Sequence, residues 1–190
     1  MENTNNIQRC QWVNDDQIYI DYHDQEWGVA LHDDDKLFEF LILEGFQAGL
    51  SWITILRKRE NFRKAFDNFE ALKIVKYDEH KIEELMQDAG IIRNRLKITG
   101  TITNARLFLE IQQEFGSFDA YIWQFTNGQT IDNQRNNTKD IPASTAVSDA
   151  MSKALKKRGF KFIGTTICYA FMQATGMVND HLINCVSYKQ

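Results

Sequence analysis

One acidic residue lies in line with an apolar stripe. Glu44 falls on the same helical face as Leu37, Phe40 and Leu41, at spacings of three and four residues. Because burying an unpaired carboxylate costs free energy, Glu44 needs either a protein partner or a ligand. The simpler alternative is that it caps a neighbouring helix or pairs with an internal arginine.

Cysteine and histidine residues near the two ends of the chain match a zinc site. His181 and Cys185 are four residues apart and face the same way on a helical turn, and Cys10 and His23 have matching chemistry at the other end. Such a set fills all four positions of a tetrahedral ion, which indicates a structural metal. The alternative is a hydrogen-bonded core histidine and a small hydrophobic cysteine. The third cysteine, Cys168, is predicted to lie in the core.

Aromatic residues are available to surround Glu44. They are Trp12, Tyr19, Tyr22, Trp27 and Trp52. Aromatic faces combined with one carboxylate suit a flat, positively charged ring, and an alkylated base flipped out of DNA is such a ring. The ordinary role of aromatic residues is to fill a core, and that alternative stays open.

A turn bounded by glycines carries a local positive charge. Residues 159–166 predict a hairpin between two helices, with Gly164 where the second helix begins, so that free backbone N–H groups can bind phosphate. The cations beside it are Lys153, Lys156, Lys157, Arg158 and Lys161. This is the footprint that DNA binding requires. The alternative is a solvated helix end whose cations offset the helix dipole.

Composition limits the class of protein. The 190 residues suit one domain, 10–190, after a flexible tail, 1–9, and the net charge of -4 gives no global attraction to nucleic acid. Three cysteines are an odd number, which argues against a disulfide framework and favours metal-binding or core roles. The sequence shows neither an apolar run long enough for a membrane span nor a signal peptide, so we expect a cytoplasmic protein without a membrane partner.

Helical periodicity predicts an all-α fold. One helix contains Glu44 and ends near Gly49. Further helices are predicted at 51–59, with helical spacing continuing over 61–69, and at 81–87, 97–114 and 118–125. The last two are predicted from 144 or 145 to 158 and from the hairpin to 176. No strand-like alternation is found, and residues 126–146 are predicted to form a long polar loop.

Several stretches of the chain are distinctive. They are RCQW at 9–12, YHDQEWG at 22–28, LEGFQAGLSW at 43–52, DAGIIR at 88–93, KKRGFKFIGTT at 156–166 and NDH at 179–181. Together they closely resemble the bacterial 3-methyladenine DNA glycosylase I family. The resemblance extends from Cys10 to Cys185, which is nearly the whole chain.

The resemblance implies a helix-hairpin-helix DNA glycosylase fold with its termini pinned by a structural Zn²⁺. The zinc ligands implied are Cys10, His23, His181 and Cys185. Glu44 is implied as the catalytic residue, which accepts hydrogen bonds from the adenine amino edge. The lesion-base walls implied are Tyr22, Trp52, Trp12, Tyr19 and Trp27. The DNA contacts implied are Gln47, Gly49 and Leu50 in the gap left by the flipped nucleotide, and Lys161, Gly164, Thr165 and Thr166 at the hairpin.

The implied reaction is hydrolytic excision of 3-methyladenine from alkylated double-stranded DNA, without a lyase step, which starts base excision repair and releases free 3-methyladenine. Methylation at N3 makes adenine cationic and a good leaving group, so little acid catalysis is needed. Asn179 stands where the wider superfamily usually has a catalytic aspartate, and we do not expect Asp180 to replace it. We expect a monomer.

Two other classes remain as alternatives. A non-catalytic relative would bind damaged DNA without cleaving it. A zinc hydrolase or deaminase is disfavoured because four protein ligands leave no open metal position, and because the deaminase pattern His-x-Glu with Pro-Cys-x-x-Cys is absent.

Overall fold

The computed structural model describes residues 8–188, which are mostly helical. Its α-helices are α1 (Gln17–Gln25), α2 (Asp34–Gln47), α3 (Trp52–Ala65), α4 (Ala71–Ile74), α5 (Glu79–Gln87), α6 (Arg95–Phe115), α7 (Phe118–Trp123), α8 (Ala146–Arg158) and α9 (Thr165–Ala174). Short 3-10 turns lie at Asp67–Phe69, Gln124–Thr126 and Thr138–Asp140. The mostly helical prediction is therefore confirmed.

Short polar side chains and glycines set many of the helix ends. The side chains that accept a backbone N–H at a helix start are Asp16, Asp33, Asp78, Asn94, Ser117 and Thr145. Gly116 and Gly159 end α6 and α8 in the left-handed conformation, which a glycine adopts without steric cost.

Helix α2 runs through the centre of the molecule. Every residue from Leu37 to Phe46 is buried, so the helix has no wet face over that stretch. It contacts α3, α6, α7 and α9. Any side chain on this part of α2 must therefore face a neighbouring element or an internal cavity, and Glu44 is such a side chain.

The structure corrects the predicted elements in three places. The helical stretch predicted over 61–69 is divided: its first part is the end of α3, which stops at Ala65, and its last part is the 3-10 turn Asp67–Phe69. Helix α1, which was not predicted, begins at the Asp16 cap. The absence of strands was wrong for one two-residue pair, β1 (Ile131–Asp132) and β2 (Val178–Asn179), which are parallel.

Residues 1–7 of the predicted tail lie outside the described residues. Arg9, which was assigned to that tail, is held by the Asp24 carboxylate, with Nη2 at 2.6 Å from Oδ2. Within residues 8–188, no helix has the length and apolar character needed to cross a bilayer.

Candidate functional site

A cavity of about 380 Å³ lies beside the C-terminal half of α2. It is lined by all of the aromatic residues expected around the acid, namely Trp12, Tyr19, Tyr22, Trp27 and Trp52, together with Glu44 itself. The structure thus brings together residues that are up to 40 positions apart in the sequence. Gln47, at the end of α2, is also part of the lining.

The Glu44 carboxylate is buried without a partner. Its side chain is only 3% exposed, and no donor among residues 8–188 makes a hydrogen bond or ion pair with it. Burial raises the pKa of Glu44 to about 8. The carboxylate also raises the pKa of Tyr22, although burial of the phenol is the larger cause. A cationic ligand would provide the positive charge that no described side chain brings to Glu44.

The aromatic rings form a continuous wall. The ring centroids of Tyr22 and Trp52 are 5.5 Å apart, and those of Trp12 and Tyr19 are 4.9 Å apart. Trp12 meets Trp27 edge-on at 5.1 Å. These separations are typical of packed aromatic pairs, so the rings support one another while their free faces border the cavity.

The cavity has a further wall that the sequence did not predict. It comes from Thr138 and Ile141 in the long connection before α8, and from Ala170 and Gln173 on α9. No local pattern marks these residues as site residues, because their position depends on contacts between distant segments. The segment 133–141, here called the pocket segment, therefore forms part of the cavity wall.

Asp180 holds the pocket segment against α9. It is 1% exposed and accepts from Arg135 Nε at 2.9 Å and from Gln173 Nε2 at 2.8 Å. Asn133 Nδ2 and the Tyr169 hydroxyl donate as well, at 2.8 and 2.5 Å. These four donors tie the carboxylate to the pocket segment and to α9.

Cys10, His23, His181 and Cys185 form a buried cluster whose ligand atoms all lie within 4.8 Å of one another. The Sγ atom of Cys185 is 3.4 Å from His23 Nε2 and 3.6 Å from His181 Nδ1, and Cys10 Sγ is 3.7 Å from His181 Nδ1. Tetrahedral zinc with ordinary bond lengths places its ligand atoms about 3.3–3.8 Å apart. The donor set and its spacing fit such an ion.

Hydrogen bonds to the far ring nitrogens orient both histidines toward the cluster. His23 Nδ1 is 2.7 Å from Asp24 Oδ1, and His181 Nε2 is 2.8 Å from the Trp27 carbonyl oxygen. Donation by these nitrogens leaves His23 Nε2 and His181 Nδ1 free to face the cysteines. This is the outer arrangement that metal-binding histidines usually have. The Trp27 contact also links the cluster directly to the cavity wall.

A tight turn follows α2 at the mouth of the cavity. Gln47 Nε2 donates to the Leu50 carbonyl at 2.6 Å, and Gly49 has a φ of 85°, where glycine is favoured. Leu50 is 38% exposed. The ammonium of Lys97 donates to the carbonyls of Phe46 and Ala48 at 2.9 and 3.0 Å, so it closes the end of α2. The sequence did not predict this role for Lys97.

The expected hairpin joins α8 to α9 and is pinned to α6. Asn104 accepts from the Lys161 backbone N–H at 2.8 Å and donates to the Lys161 carbonyl at 3.0 Å. The Phe162 ring packs so closely on Gly100 that a Cβ there would lie 2.9 Å from a ring carbon. Phe162 has a φ of 54°, an uncommon conformation for a bulky residue. Sequence reasoning missed these supports.

The hairpin leaves some of its expected contacts open and uses others internally. A Cβ on Gly164 would meet nothing within 4 Å, and Thr166 is exposed. The Thr165 hydroxyl, in contrast, already bonds to Ser148 and Asp149, so only its backbone N–H remains for a ligand.

Fewer cations beside the hairpin are available for DNA than the sequence predicted. Arg158 pairs with both oxygens of Glu114, at 2.7 and 2.9 Å, and stacks on aromatic rings. The remaining cations are exposed and form no ion pair within the described part of the chain; they are Lys153, Lys156, Lys157 and Lys161. The Arg158 charge is therefore already paired within the protein.

The fold is mostly helical, and its candidate site combines a buried acid in an aromatic cavity with a neighbouring cysteine–histidine cluster. The methyladenine glycosylase family model matches residues 12–188, and the chain belongs to that family. This confirms the resemblance seen in the sequence motifs and the class of enzyme it implied, a glycosylase that cleaves an N-glycosidic bond.

Individual relatives match this chain over almost their full length. The chain is 54% identical to DNA-3-methyladenine glycosylase 1 of Escherichia coli (strain K12), covering 96% of this chain and 97% of that one. It is 50% identical to DNA-3-methyladenine glycosylase of Haemophilus influenzae, covering 93% and 96%. The chain also matches a solved structure of 3-methyladenine DNA glycosylase I from Staphylococcus aureus, described as showing the structural basis of 3-methyladenine recognition. The TM-score is 0.93 at 36% identity, over 96% of this chain and 97% of that one.

Proposed function

We propose that this protein excises 3-methyladenine from alkylated double-stranded DNA by hydrolysis and releases the free base. The observation that carries the proposal is the unpartnered Glu44 carboxylate, 3% exposed, in a cavity walled by aromatic rings. A cavity of about 380 Å³ has room for a purine. The enzyme is monofunctional in this proposal, acts as a monomer and starts base excision repair.

The charge of the lesion explains how the pocket selects it. Methylation at N3 gives adenine a positive charge, and that charge lowers the raised pKa of Glu44 in the complex. The ionised carboxylate then offsets the charge and accepts from the exocyclic amino group. One charge-assisted hydrogen bond contributes about 1.5–3 kcal/mol, and a cation–π contact with Tyr22 or Trp52 about 0.5–2 kcal/mol. A normal adenine lacks the charge, so both contributions become weaker for it.

The reaction needs little help at the leaving group. The methylated base departs as a neutral molecule when the bond from C1′ to N9 breaks with its electron pair going to N9. Water adds to the resulting oxocarbenium-like sugar and releases one proton to solvent. Within the described chain, Asp180 cannot serve as a base because four donors hold it in the fold. The residues of the pocket therefore act by binding and orienting the cationic base.

The DNA duplex is held on the surface beside the cavity mouth. The helix-hairpin-helix formed by α8, residues 159–164 and α9 would bind phosphate through Lys161, Thr166 and the backbone N–H groups at the α9 start. The turn with Gln47, Gly49 and Leu50 would occupy the gap left by the flipped nucleotide. The open space at Gly164 and the exposure of Leu50 support this placement.

A zinc ion held by Cys10, His23, His181 and Cys185 would have a structural role. Four protein ligands leave no position for a reactive water, so the ion supplies a cross-link between the two ends of the chain and takes no part in hydrolysis.

The test is release of free 3-methyladenine from methylated DNA by the wild type and by Glu44→Gln. We expect release by the wild type and a fall in kcat/KM of about 10-fold to 100-fold in the variant, since the charge is lost but the shape is kept. Glu110→Gln, at an exposed surface ion pair, is the matched control and should behave like the wild type. Brief EDTA treatment should leave release unchanged.

Two results would contradict the proposal. No release by freshly purified wild type would mean that the pocket binds without cleaving. An unchanged rate of base release in Glu44→Gln would show that the Glu44 carboxylate is not needed to recognise the base.

A further inference from the structure

The pocket segment, residues 133–141, reaches the cavity where the 3-10 turn Thr138–Asp140 forms. Thr138 and Ile141 both line the cavity that contains Glu44. This segment belongs neither to the aromatic wall nor to the central helix. It therefore presents side chains to a ligand from a separate part of the chain.

Hydrogen bonds to neighbouring elements hold this segment in place. Arg135 joins it to the buried Asp180 through Nε at 2.9 Å, and Arg135 Nη1 donates to the Asp140 carbonyl at 3.0 Å. The Ile183 backbone N–H donates to the Arg135 carbonyl at 2.9 Å. These bonds fix both the path of the segment and its distance from α9, so Thr138 is held at the cavity rather than free to turn away.

Two polar atoms of the cavity residues are buried without a partner. They are the Thr138 hydroxyl and the Trp52 indole N–H, which form no hydrogen bond with any residue in the range 8–188. An unpaired buried hydroxyl costs free energy, and native proteins keep few of them. Ser187 has the remaining unpartnered atom of this kind in the same range, and it does not line the cavity.

We propose that Thr138 is a further lesion-binding residue, whose hydroxyl pairs with the polar edge of the bound base. The inference rests on the proposed function of the pocket. An ionised Glu44 can only accept and the Trp52 indole can only donate, whereas a threonine hydroxyl does both. A purine presents both ring nitrogens that accept and N–H groups that donate, so Thr138 adds a contact that the other two cannot make.

The test separates the hydroxyl from the shape of the side chain. Thr138→Val removes the hydroxyl and keeps the volume, whereas Thr138→Ser keeps the hydroxyl and loses a methyl group. Ser187→Ala is the matched control, because it removes a buried unpartnered hydroxyl outside the cavity. For each protein, the Kd for free 3-methyladenine is measured by calorimetry, and the Tm of the ligand-free protein is measured alongside.

We expect Thr138→Val to bind the base several-fold to about tenfold more weakly, because one hydrogen bond is lost. Its ligand-free Tm should not fall, since the removed hydroxyl has no partner in the protein. Thr138→Ser should bind within about twofold of the wild type, which is less than the loss of that bond. Ser187→Ala should match the wild type in affinity.

Three outcomes would overturn the inference. Wild-type affinity in Thr138→Val, with base release by the wild type intact, would show that the Thr138 hydroxyl does not bind the base and would leave the proposed function standing. Equal losses of affinity and Tm in both Thr138 variants would show a packing role instead. A wild type that neither binds nor releases 3-methyladenine would overturn the proposed function and this inference together.

Discussion

Helix α2 carries two buried carboxylates in contrasting surroundings. Glu39 is 6% exposed and binds Arg59 Nε at 2.6 Å and Arg63 Nη2 at 2.8 Å. Glu44 is 3% exposed and has no such partner within the described residues. Glu39 thus forms the internal arginine pairs that were considered as an alternative for Glu44, and Glu44 does not. Because the two residues share one helix, the difference points to a ligand at Glu44 rather than to a general property of α2.

The cost of charging Glu44 should appear in the pH dependence of stability. The pKa of Glu44 is about 8 in the folded protein and 4.5 as its ordinary value, so the folded state holds an extra proton between these values. The contribution of protonated Glu44 is complete below pH 4.5 and is lost as the pH rises through 8. Glu44→Gln does not titrate at this position. Its free energy of unfolding relative to the wild type should therefore rise by up to about 1.4 kcal/mol for each unit of pH increase between 4.5 and 8.

Denaturant unfolding of both proteins at pH 5, 6.5 and 8 measures this difference. Glu39→Gln is the matched control: it removes the partner of two arginines and should lower stability at each pH. A constant gap between Glu44→Gln and the wild type across the series would contradict the buried, unpaired state of Glu44.

At the scale of elements, the surface proposed for DNA is built where three segments meet. Lys97 of α6 closes the end of α2, Asn104 of α6 holds the hairpin, and the Phe162 ring fits against Gly100. The hairpin and the turn after α2 are thus fixed to the same helix. A duplex bound to one of them would meet the other at a set distance.

Gly164→Ala tests whether this surface meets DNA. The residue has a φ of -59°, which alanine adopts freely, and an added Cβ meets no protein atom within 4 Å. The Tm and the affinity for free 3-methyladenine should therefore stay at wild-type values. If a phosphate approaches the start of α9, the new methyl group should weaken DNA binding about tenfold, as measured by fluorescence anisotropy on a methylated duplex. Unchanged duplex affinity would place the phosphate elsewhere.

Local patterns predicted the elements well, whereas contacts between distant segments were out of reach. The apolar stripe containing Glu44 and the glycines around the hairpin depend on residues within one or two turns of helix, so the sequence shows them directly. The pocket segment is placed by Arg135 and Asp180, 45 residues apart, and Lys97 meets Phe46 across 51 residues. Nothing in the local sequence of Thr138 predicts that it borders the cavity.

At the scale of the whole molecule, the cysteine–histidine cluster and the cavity share a wall. Trp12 follows Cys10 by two residues, and its ring centroid is 5.2 Å from that of His23. The Trp27 carbonyl accepts from His181, and the rings of these two residues meet edge-on at 4.6 Å. Closing the two ends of the chain therefore also positions aromatic residues of the pocket.

Metal removal should accordingly affect stability and base binding together. We expect one zinc per chain in the purified protein, and we expect prolonged chelation to lower both the Tm and the affinity for free 3-methyladenine, because the cross-link that holds Trp12 and Trp27 is lost. Cys185→Ala should lose the metal, whereas Cys168→Ala, at a buried cysteine outside the cluster, should retain it. Metal content by mass spectrometry, with Tm and Kd on the same samples, measures all three effects. Full loss of metal with both Tm and Kd unchanged would show that the cluster does not support the pocket.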